Sequence, residues 1–182
     1  WEKRNYLIDT MNNGTHVLMD RYAYSGVVYT SAKGYDMDWC MGPEKGLPKP
    51  DIIFYLKTSP NNLANRPGFG EEIYEKTAFQ TIVDQKYQIL AEKSIQLGHN
   101  WINIASEGNK ECVHAKIAEI FSKNSAFQSC VDLAVNSGKE ELVGYLNEII
   151  MHVSDMFTIY LSNSRPNHSL NFHLFIPDAV NL

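Results

Sequence analysis

V-L-M-D-R-Y-A-Y-S-G, residues 17–26, places a carboxylate and a guanidinium directly after a short apolar run. An apolar run of this kind is typical of a buried strand, and ligands in open α/β sheets bind at the carboxyl ends of the strands. At such an end Arg21 can grip a phosphate with two hydrogen bonds, and Asp20 can hold a hydrated Mg²⁺ ion. The small residues Ser25 and Gly26 would let a ligand approach the backbone closely. The pair alone also fits a helix cap at Asp20 and a surface ion pair at Arg21, and this alternative stays open here.

The composition is that of an ordinary globular chain. Its 182 residues are 44% hydrophobic and 20% charged, which suffices for one domain with an appendage. The net charge of −5 and the pI of about 5.7 argue against binding to nucleic acid or to an anionic membrane. The three cysteines, Cys40, Cys112 and Cys130, are widely spaced and form no C-x-x-C pair, which indicates reduced thiols. Since no signal peptide and no bilayer-crossing run is visible, we expect a cytoplasmic or nuclear protein.

Strand and helix patterns alternate along the first two thirds of the chain. Short apolar runs predict strands at 15–19, 51–56 and 101–104. Apolar residues at helical spacing predict helices at 1–13, 22–33, 72–97 and 109–123. Asp36 is predicted to cap a further short helix. Because the strands show no apolar–polar alternation, we expect both of their faces to be covered, which favours a parallel sheet between helices. Beyond residue 124 the alternation stops, and we expect a helix at 139–162 and then a loop to residue 182 with an apolar patch at 170–176.

Several short motifs follow one another in a definite order along the same part of the chain. They are D-R-Y-A-Y-S-G at 20–26, A-K-G at 32–34, D-W-C at 38–40, G-L-P-K-P-D at 46–51, R-P-G-F-G at 66–70, Y-E at 74–75 and F-Q at 79–80. Each motif is weak by itself, but the ordered set resembles the thymidylate kinase family, most closely its eukaryotic branch. The resemblance covers roughly residues 1–124 and leaves 125–182 as an unassigned tail, expected to be mainly helical and then loop.

This resemblance implies a fold and an activity. The fold is α/β of the P-loop kinase type, with a parallel sheet flanked by helices. The activity is that of an enzyme of nucleotide biosynthesis, which transfers the γ-phosphoryl group of ATP to dTMP and gives dTDP. The implied cofactor is Mg²⁺, and the implied partners are dTMP, ATP and, for an intact chain, a second copy of it in a homodimer, with neither nucleic acid nor membrane. In such a reaction the protein positions donor and acceptor, neutralises charge and excludes water.

The resemblance also implies roles for the residues around the opening stretch. Asp20 helps to hold Mg²⁺ and phosphate through water, and Arg21 contacts the phosphate of dTMP. Ser25 and Gly26 lie near the nucleoside. Tyr29 lines the acceptor site, although a place in the packed core explains this residue equally well.

A second group of implied site residues lies further along the chain. The segment 66–74 resembles a flexible lid that closes over the phosphates, and Arg66 would bring positive charge to the transferred group. A solvated loop arginine is the alternative for Arg66. Tyr74 would pack beside the deoxyribose, and Gln80 would lie at the edge of the same pocket.

The chain departs from the family pattern at the ATP phosphates. The Walker A loop of the family, G-x-x-x-x-G-K-[ST], is found nowhere in the sequence, and the nearest string, S-G-K at 137–139, lacks the required first glycine. Since the chain begins at Trp1 inside a helical pattern, we expect it to be N-terminally incomplete and to lack the central first strand of the fold. The strand at 15–19 would then have no neighbour on the side of the strand at 51–57.

Three functions stay open. The first is a thymidylate kinase that is inactive in this form because the Walker A loop is absent. The second is a non-catalytic, kinase-like protein that binds nucleotide or serves as a dimer partner. The third is a deoxynucleoside kinase, which also carries an acidic–Arg pair after a strand, but the L-P-K-P connector at 47–50 and the pattern at Tyr74 speak against it.

Overall fold

The structure is a computed structural model and describes residues 1–58, 77–107, 110–123, 156–160 and 171–175. Its elements are α1 (Arg4–Asn12), β1 (Thr15–Asp20), α2 (Ala23–Ala32), α3 (Met37–Met41), a 3-10 turn (Gly42–Glu44), β2 (Ile52–Lys57), α4 (Thr77–Gln96), β3 (Trp101–Ala105), α5 (Lys110–Lys123), β4 (Met156–Tyr160) and β5 (Asn171–Phe175). The combination of helices with a largely parallel sheet confirms the expected α/β class.

The ends of the helices follow from local chemistry. Asp36 caps α3 as expected, since its carboxylate accepts a hydrogen bond of 2.8 Å from the backbone N–H of Trp39. Gly14 after α1 and Gly34 after α2 have φ values of 89° and 104°, a backbone conformation that glycine adopts at little cost. No helix in the described part of the chain is long and apolar enough to cross a membrane.

One five-stranded sheet runs through the described residues, in the order β3–β2–β4–β1–β5. β2 pairs with β3 and β1 pairs with β5 in parallel, whereas β4 pairs antiparallel with both β1 and β2. β1 and β2 therefore run in the same direction, and four of the five strands end at the same edge. This edge carries the carboxyl ends of β1 and β2, where the sequence predicts the ligand site.

The tail differs from the expectation drawn from the sequence. Met156–Tyr160 and Asn171–Phe175 are strands, so the helix expected at 139–162 and the loop expected beyond it are wrong over these residues. β4 also supplies the neighbour that the strand at 15–19 was expected to lack. Buried strand backbones need hydrogen-bond partners, and M-F-T-I-Y is rich in the aromatic and β-branched residues that favour a sheet. The remainder of 125–182 lies outside the described residues, and the domain boundary at residue 124 stays a prediction.

Both faces of the central strands are covered, as their apolar runs predict. Residues 52–56 of β2 and 16–19 of β1 are all buried. α2 and α4 pack together over the sheet through a core that includes Val28 and Tyr87. Leu7 of α1 packs against β1. Apolar packing therefore holds β1 and β2 in place as far as their polar last residues, Asp20 and Lys57.

His16 lies in this buried part of β1 with only 6% of its surface exposed. Burial lowers the pKa of its imidazole below 6.5, and the nearby carboxylate of Asp51 offsets part of this effect. We predict that the free energy of unfolding falls as the pH drops below 6.5, because the unfolded chain then takes up a proton that the folded chain refuses. The slope for one such group is at most about 1.4 kcal/mol per pH unit. Urea unfolding between pH 5 and pH 8 measures it.

The matched variants are His16→Gln and His99→Gln. Burial and Lys49 lower the pKa of His99 as well, so each histidine should contribute a separate part of the acid sensitivity. His16→Gln should flatten the pH dependence below 6.5. An unchanged slope in His16→Gln would show that a neutral His16 is not required for folding.

Candidate functional site

The site predicted at the carboxyl end of β1 begins with an unusual backbone conformation. β1 ends at Asp20, and the next residue, Arg21, has a φ of 61°. Arg21 is the one non-glycine residue with a positive φ in the described ranges. A side chain with a Cβ is disfavoured there by about 1–2 kcal/mol, and such strain is typical of functional positions.

The strained turn is held firmly on the side of α2. Tyr22 precedes the helix, and its carbonyl oxygen accepts hydrogen bonds from both the backbone N–H and the hydroxyl of Ser25, at 3.1 and 3.0 Å. The phenol of Tyr22 donates a hydrogen bond of 3.1 Å to the carbonyl oxygen of Pro48, in the connector before β2. The hydroxyl of Ser25 therefore has a structural role in addition to the role predicted from the sequence, and its oxygen can still accept a hydrogen bond.

Tyr24 ties the first turn of α2 to the loop before β3. Its hydroxyl lies 2.6 Å from Nδ1 of His99, and its ring packs edge-on against Trp101. Burial, and secondarily the neighbouring Tyr22, raise the pKa of the Tyr24 phenol far above neutrality. Tyr24 therefore stays protonated, and the tautomer of His99 sets which of the two groups donates the hydrogen bond. This contact fixes the start of α2 next to the Arg21 turn.

An aromatic contact joins Arg21 to the neighbouring helices. The guanidinium carbon lies 5.9 Å from the centre of the Tyr29 ring, and that ring lies 6.3 Å from the ring of Phe79. A cation facing an aromatic ring at this distance is attracted to it. Tyr29 is also partly buried against the main core, which agrees with its packing interpretation, and its site interpretation stays a prediction.

The structure places some of the predicted site residues close together, whereas others lie outside the described residues. Asp20, Arg21 and Tyr29 lie at one sheet edge, and Gln80 lies in the first turn of α4, directly after Phe79. Gly26 is exposed, and a Cβ added there would meet no described atom within 4 Å. Packing therefore does not require glycine at residue 26. Arg66 and Tyr74 lie outside the described residues, and the roles of all these residues stay predictions.

Polar side chains that the sequence analysis did not single out follow β2 and β3 at the same edge. Lys57 ends β2 and forms an ion pair of 3.6 Å with Asp84 of α4. Thr58 and Ser106 share a hydrogen bond of 2.5 Å between their hydroxyl oxygens. One signal could have indicated them, since Lys57 and Thr58 follow an apolar run just as Asp20 and Arg21 do.

Asp20 is the residue at this edge that the sequence predicts to hold a cation. One carboxylate oxygen of Asp20 is buried at the end of β1. Within the part of the chain that the structure describes, no three His, Cys, Asp or Glu side chains are grouped so that they could hold a metal ion. The role of Asp20 toward a cation therefore stays a prediction.

Sequence comparisons relate the chain to one family. The family model described as Thymidylate kinase matches residues 1–117. The chain is 43% identical over 121 residues to a thymidylate kinase of Dictyostelium discoideum, which covers 66% of this chain and 52% of that protein. It is 36% identical over 122 residues to a thymidylate kinase of Schizosaccharomyces pombe, which covers 67% of this chain and 58% of that protein.

Each match covers only part of this chain and part of its relative. The chain spans about half the length of these curated relatives. A solved thymidylate kinase structure from Candida albicans has a TM-score of 0.48 and 28% sequence identity to this chain, and the match covers 57% of this chain and 53% of that one. The family match at 1–117 contains the Asp20–Arg21 turn and α4, whereas β4 and β5 lie beyond it.

The strain at Arg21 leads to a prediction on stability. Arg21→Gly should be more stable to unfolding than Arg21→Ala by about 1 kcal/mol, because glycine adopts a positive φ without steric cost. Lys33, which caps α2 at a φ of −76°, provides the control. There glycine should be less stable than alanine. Thermal or urea unfolding of the four variants measures the difference, and equal stability of the two Arg21 variants would show that the turn is unstrained.

Proposed function

The chain belongs to the thymidylate kinase family, and we propose that its Asp20–Arg21 edge binds dTMP as the acceptor of a phosphoryl group from ATP. The observation that carries this proposal is the left-handed backbone of Arg21 at the carboxyl end of a parallel strand. Strain of this kind persists where function requires a side chain in one particular place. The guanidinium is the side-chain group best suited to hold a phosphate by two parallel hydrogen bonds.

The acceptor phosphate would lie against Arg21. The ring of Tyr29, 5.9 Å from the guanidinium carbon, supports this cation, an interaction of about 0.5–1 kcal/mol at exposed sites. Ser25, Gly26 and Gln80 would surround the nucleoside. The space at Gly26 supports this arrangement, because a ligand can approach the helix backbone there without meeting a side chain of the described residues.

Residues outside the described ranges complete the proposed site. By family resemblance, Arg66 would add positive charge at the transferred phosphoryl group, and Tyr74 would pack beside the deoxyribose. A phosphoryl-transfer site depends on such added charges, because the reaction spreads negative charge over the transferred oxygens.

Mg²⁺ would be held at Asp20. A single carboxylate suits this ion, which keeps several waters and binds phosphate oxygens directly, so the contact would run through water. When bound, the ion neutralises charge on the phosphates. Asp20 itself would orient the ion's water shell toward the phosphate that Arg21 holds.

Phosphoryl transfer also requires a site for the donor, ATP, and the 182 residues lack a sequence motif for it. They contain no G-x-x-x-x-G-K-[ST] sequence, which cradles ATP phosphates in P-loop enzymes. We therefore propose that this stretch binds dTMP without transferring a phosphoryl group unaided. The second candidate function, a non-catalytic nucleotide-binding or dimer-partner protein, rests on the same observation. A homodimer in the cytoplasm or nucleus is proposed for either function.

Isothermal titration calorimetry with dTMP tests the acceptor site. We expect the chain to bind dTMP and Arg21→Lys to bind it at least tenfold more weakly, because an ammonium group cannot make the paired hydrogen bonds of a guanidinium. Lys33→Gln, which removes a positive charge at the opposite end of α2, is the control and should bind normally. Equal affinities of the chain and Arg21→Lys would remove Arg21 from the acceptor site.

Gly26→Ala separates a ligand role from a structural one. The substitution should leave the melting temperature unchanged or raise it, because alanine favours a helix over glycine by about 0.5–1 kcal/mol and the Cβ has space. Its dTMP affinity should nevertheless fall. A coupled assay of ADP release with Mg²⁺, ATP and dTMP then tests the donor side, and turnover by the 182 residues alone would contradict the proposal that they transfer no phosphoryl group.

A further inference from the structure

β4 lies outside the residues that the family model matches and yet in the middle of the sheet. The match ends at residue 117, whereas β4 comprises Met156–Tyr160. β1 and β2 are not neighbours, and each pairs with β4 instead. The strand that carries the candidate site is therefore joined to the β2–β3 pair through a segment that the family comparison does not cover.

The pairing of β4 reaches the candidate site itself. On one side Phe157 lies opposite Asp20 and Thr158 lies opposite Met19. On the other side Phe157 lies opposite Phe54 and Met156 lies opposite Tyr55. Because β4 is antiparallel to both neighbours, its first residues lie at the edge where β1 and β2 end.

We propose that β4 is a positioning strand for the acceptor site, which holds the end of β1 so that Arg21 keeps its left-handed conformation. This inference rests on the proposed function for its effect on dTMP binding. The pairing of β4 with β1 reaches Asp20, which lies opposite Phe157. β4 thus restrains the residue directly before Arg21.

A strained turn keeps its conformation only when both of its ends are held. On the far side, Tyr22 is fixed by Ser25 and by its hydrogen bond to Pro48. On the near side, the backbone pairing with β4 gives the corresponding restraint at Asp20. Loss of β4 would release one end of the turn, and Arg21 would then return to an ordinary negative φ.

Thr158 gives a direct way to test this strand. Its side chain is completely buried between Met19 and Ile53, and its hydroxyl has no hydrogen-bond partner among the described residues. Valine has the same shape without the hydroxyl, so Thr158→Val should keep the pairing and raise the melting temperature. Proline cannot donate a backbone hydrogen bond and is not tolerated in a central strand, so Thr158→Pro should disrupt the pairing.

A disulfide tests the placement of β4 independently of any ligand. Opposite residues of antiparallel strands have Cα atoms about 4.5–5.5 Å apart, which suits a disulfide bond. Met19→Cys with Thr158→Cys should therefore form a bond within one chain under mild oxidation. Leu18→Cys with Thr158→Cys is the control, because a shift of one residue directs the two side chains to opposite faces. Mass spectrometry of peptides identifies the bond, and its absence, or its formation between two chains, would overturn the inference.

Hydrogen exchange then tests the positioning role without nucleotide. In Thr158→Pro we expect the amide of Ser25, which donates to the carbonyl oxygen of Tyr22 at this turn, to lose protection at least tenfold, while those of Tyr55 and Ile104 in the β2–β3 pair stay protected. Thr158→Val should match the original chain. Unchanged protection at Ser25 in Thr158→Pro would overturn the inference, whether or not dTMP binds.

Binding measurements complete the test and separate the two proposals. If the original chain binds dTMP, Thr158→Pro should bind at least tenfold more weakly and Thr158→Val within twofold. By reciprocity, dTMP should also slow exchange at Phe157 and Thr158 in the original chain while leaving α5 unchanged, a measurement that needs no variant to fold. Binding of dTMP that does not change exchange in β4 contradicts the positioning role, whereas absence of dTMP binding refutes the proposed function alone.

Discussion

The backbone hydrogen bonding of β4 is the constraint on which the sheet depends. β1 and β2 run in the same direction with a gap between them, and β4 fills it by pairing with both. Their residues are buried on both faces, so unpaired backbone groups there would be costly. The hydroxyl of Thr158 is buried without a hydrogen-bond partner among the described residues, which costs free energy. The backbone pairing of the whole strand outweighs this cost.

The candidate site depends on the same pairing through the turn at Arg21. The turn joins a strand held by β4 to a helix held by Tyr22, Tyr24 and Ser25. Between these anchors a single arginine takes a conformation that it would otherwise avoid. The guanidinium is thereby kept next to Tyr29, whose ring lies near Phe79 of α4, at the sheet edge where parallel strands present their carboxyl ends. Packing against the core and restraint on both sides therefore keep this turn in one conformation.

Much of the local structure followed from short-range patterns. The three apolar runs became β1, β2 and β3, and the cap at Asp36 formed as its residue type predicts. The resemblance to thymidylate kinases, drawn from ordered motifs, is matched by the family model over residues 1–117. The backbone of Arg21 could not be predicted, because arginine has no intrinsic preference for a positive φ and the neighbouring contacts impose it. Lys57 and Thr58 were missed although they follow an apolar run as Asp20 and Arg21 do, because none of the family motifs includes them.

Short-range patterns were enough to indicate the α/β class, the family, and the order of polar residues after each apolar run, since all of these depend on neighbours close along the chain. Long-range contacts alone make Met156–Tyr160 a strand and place it between β1 and β2. The helical spacing of apolar residues around it was a valid local signal. It was overridden because two buried strand backbones more than a hundred residues away, each requiring hydrogen-bond partners, are satisfied by an extended segment and not by a helix.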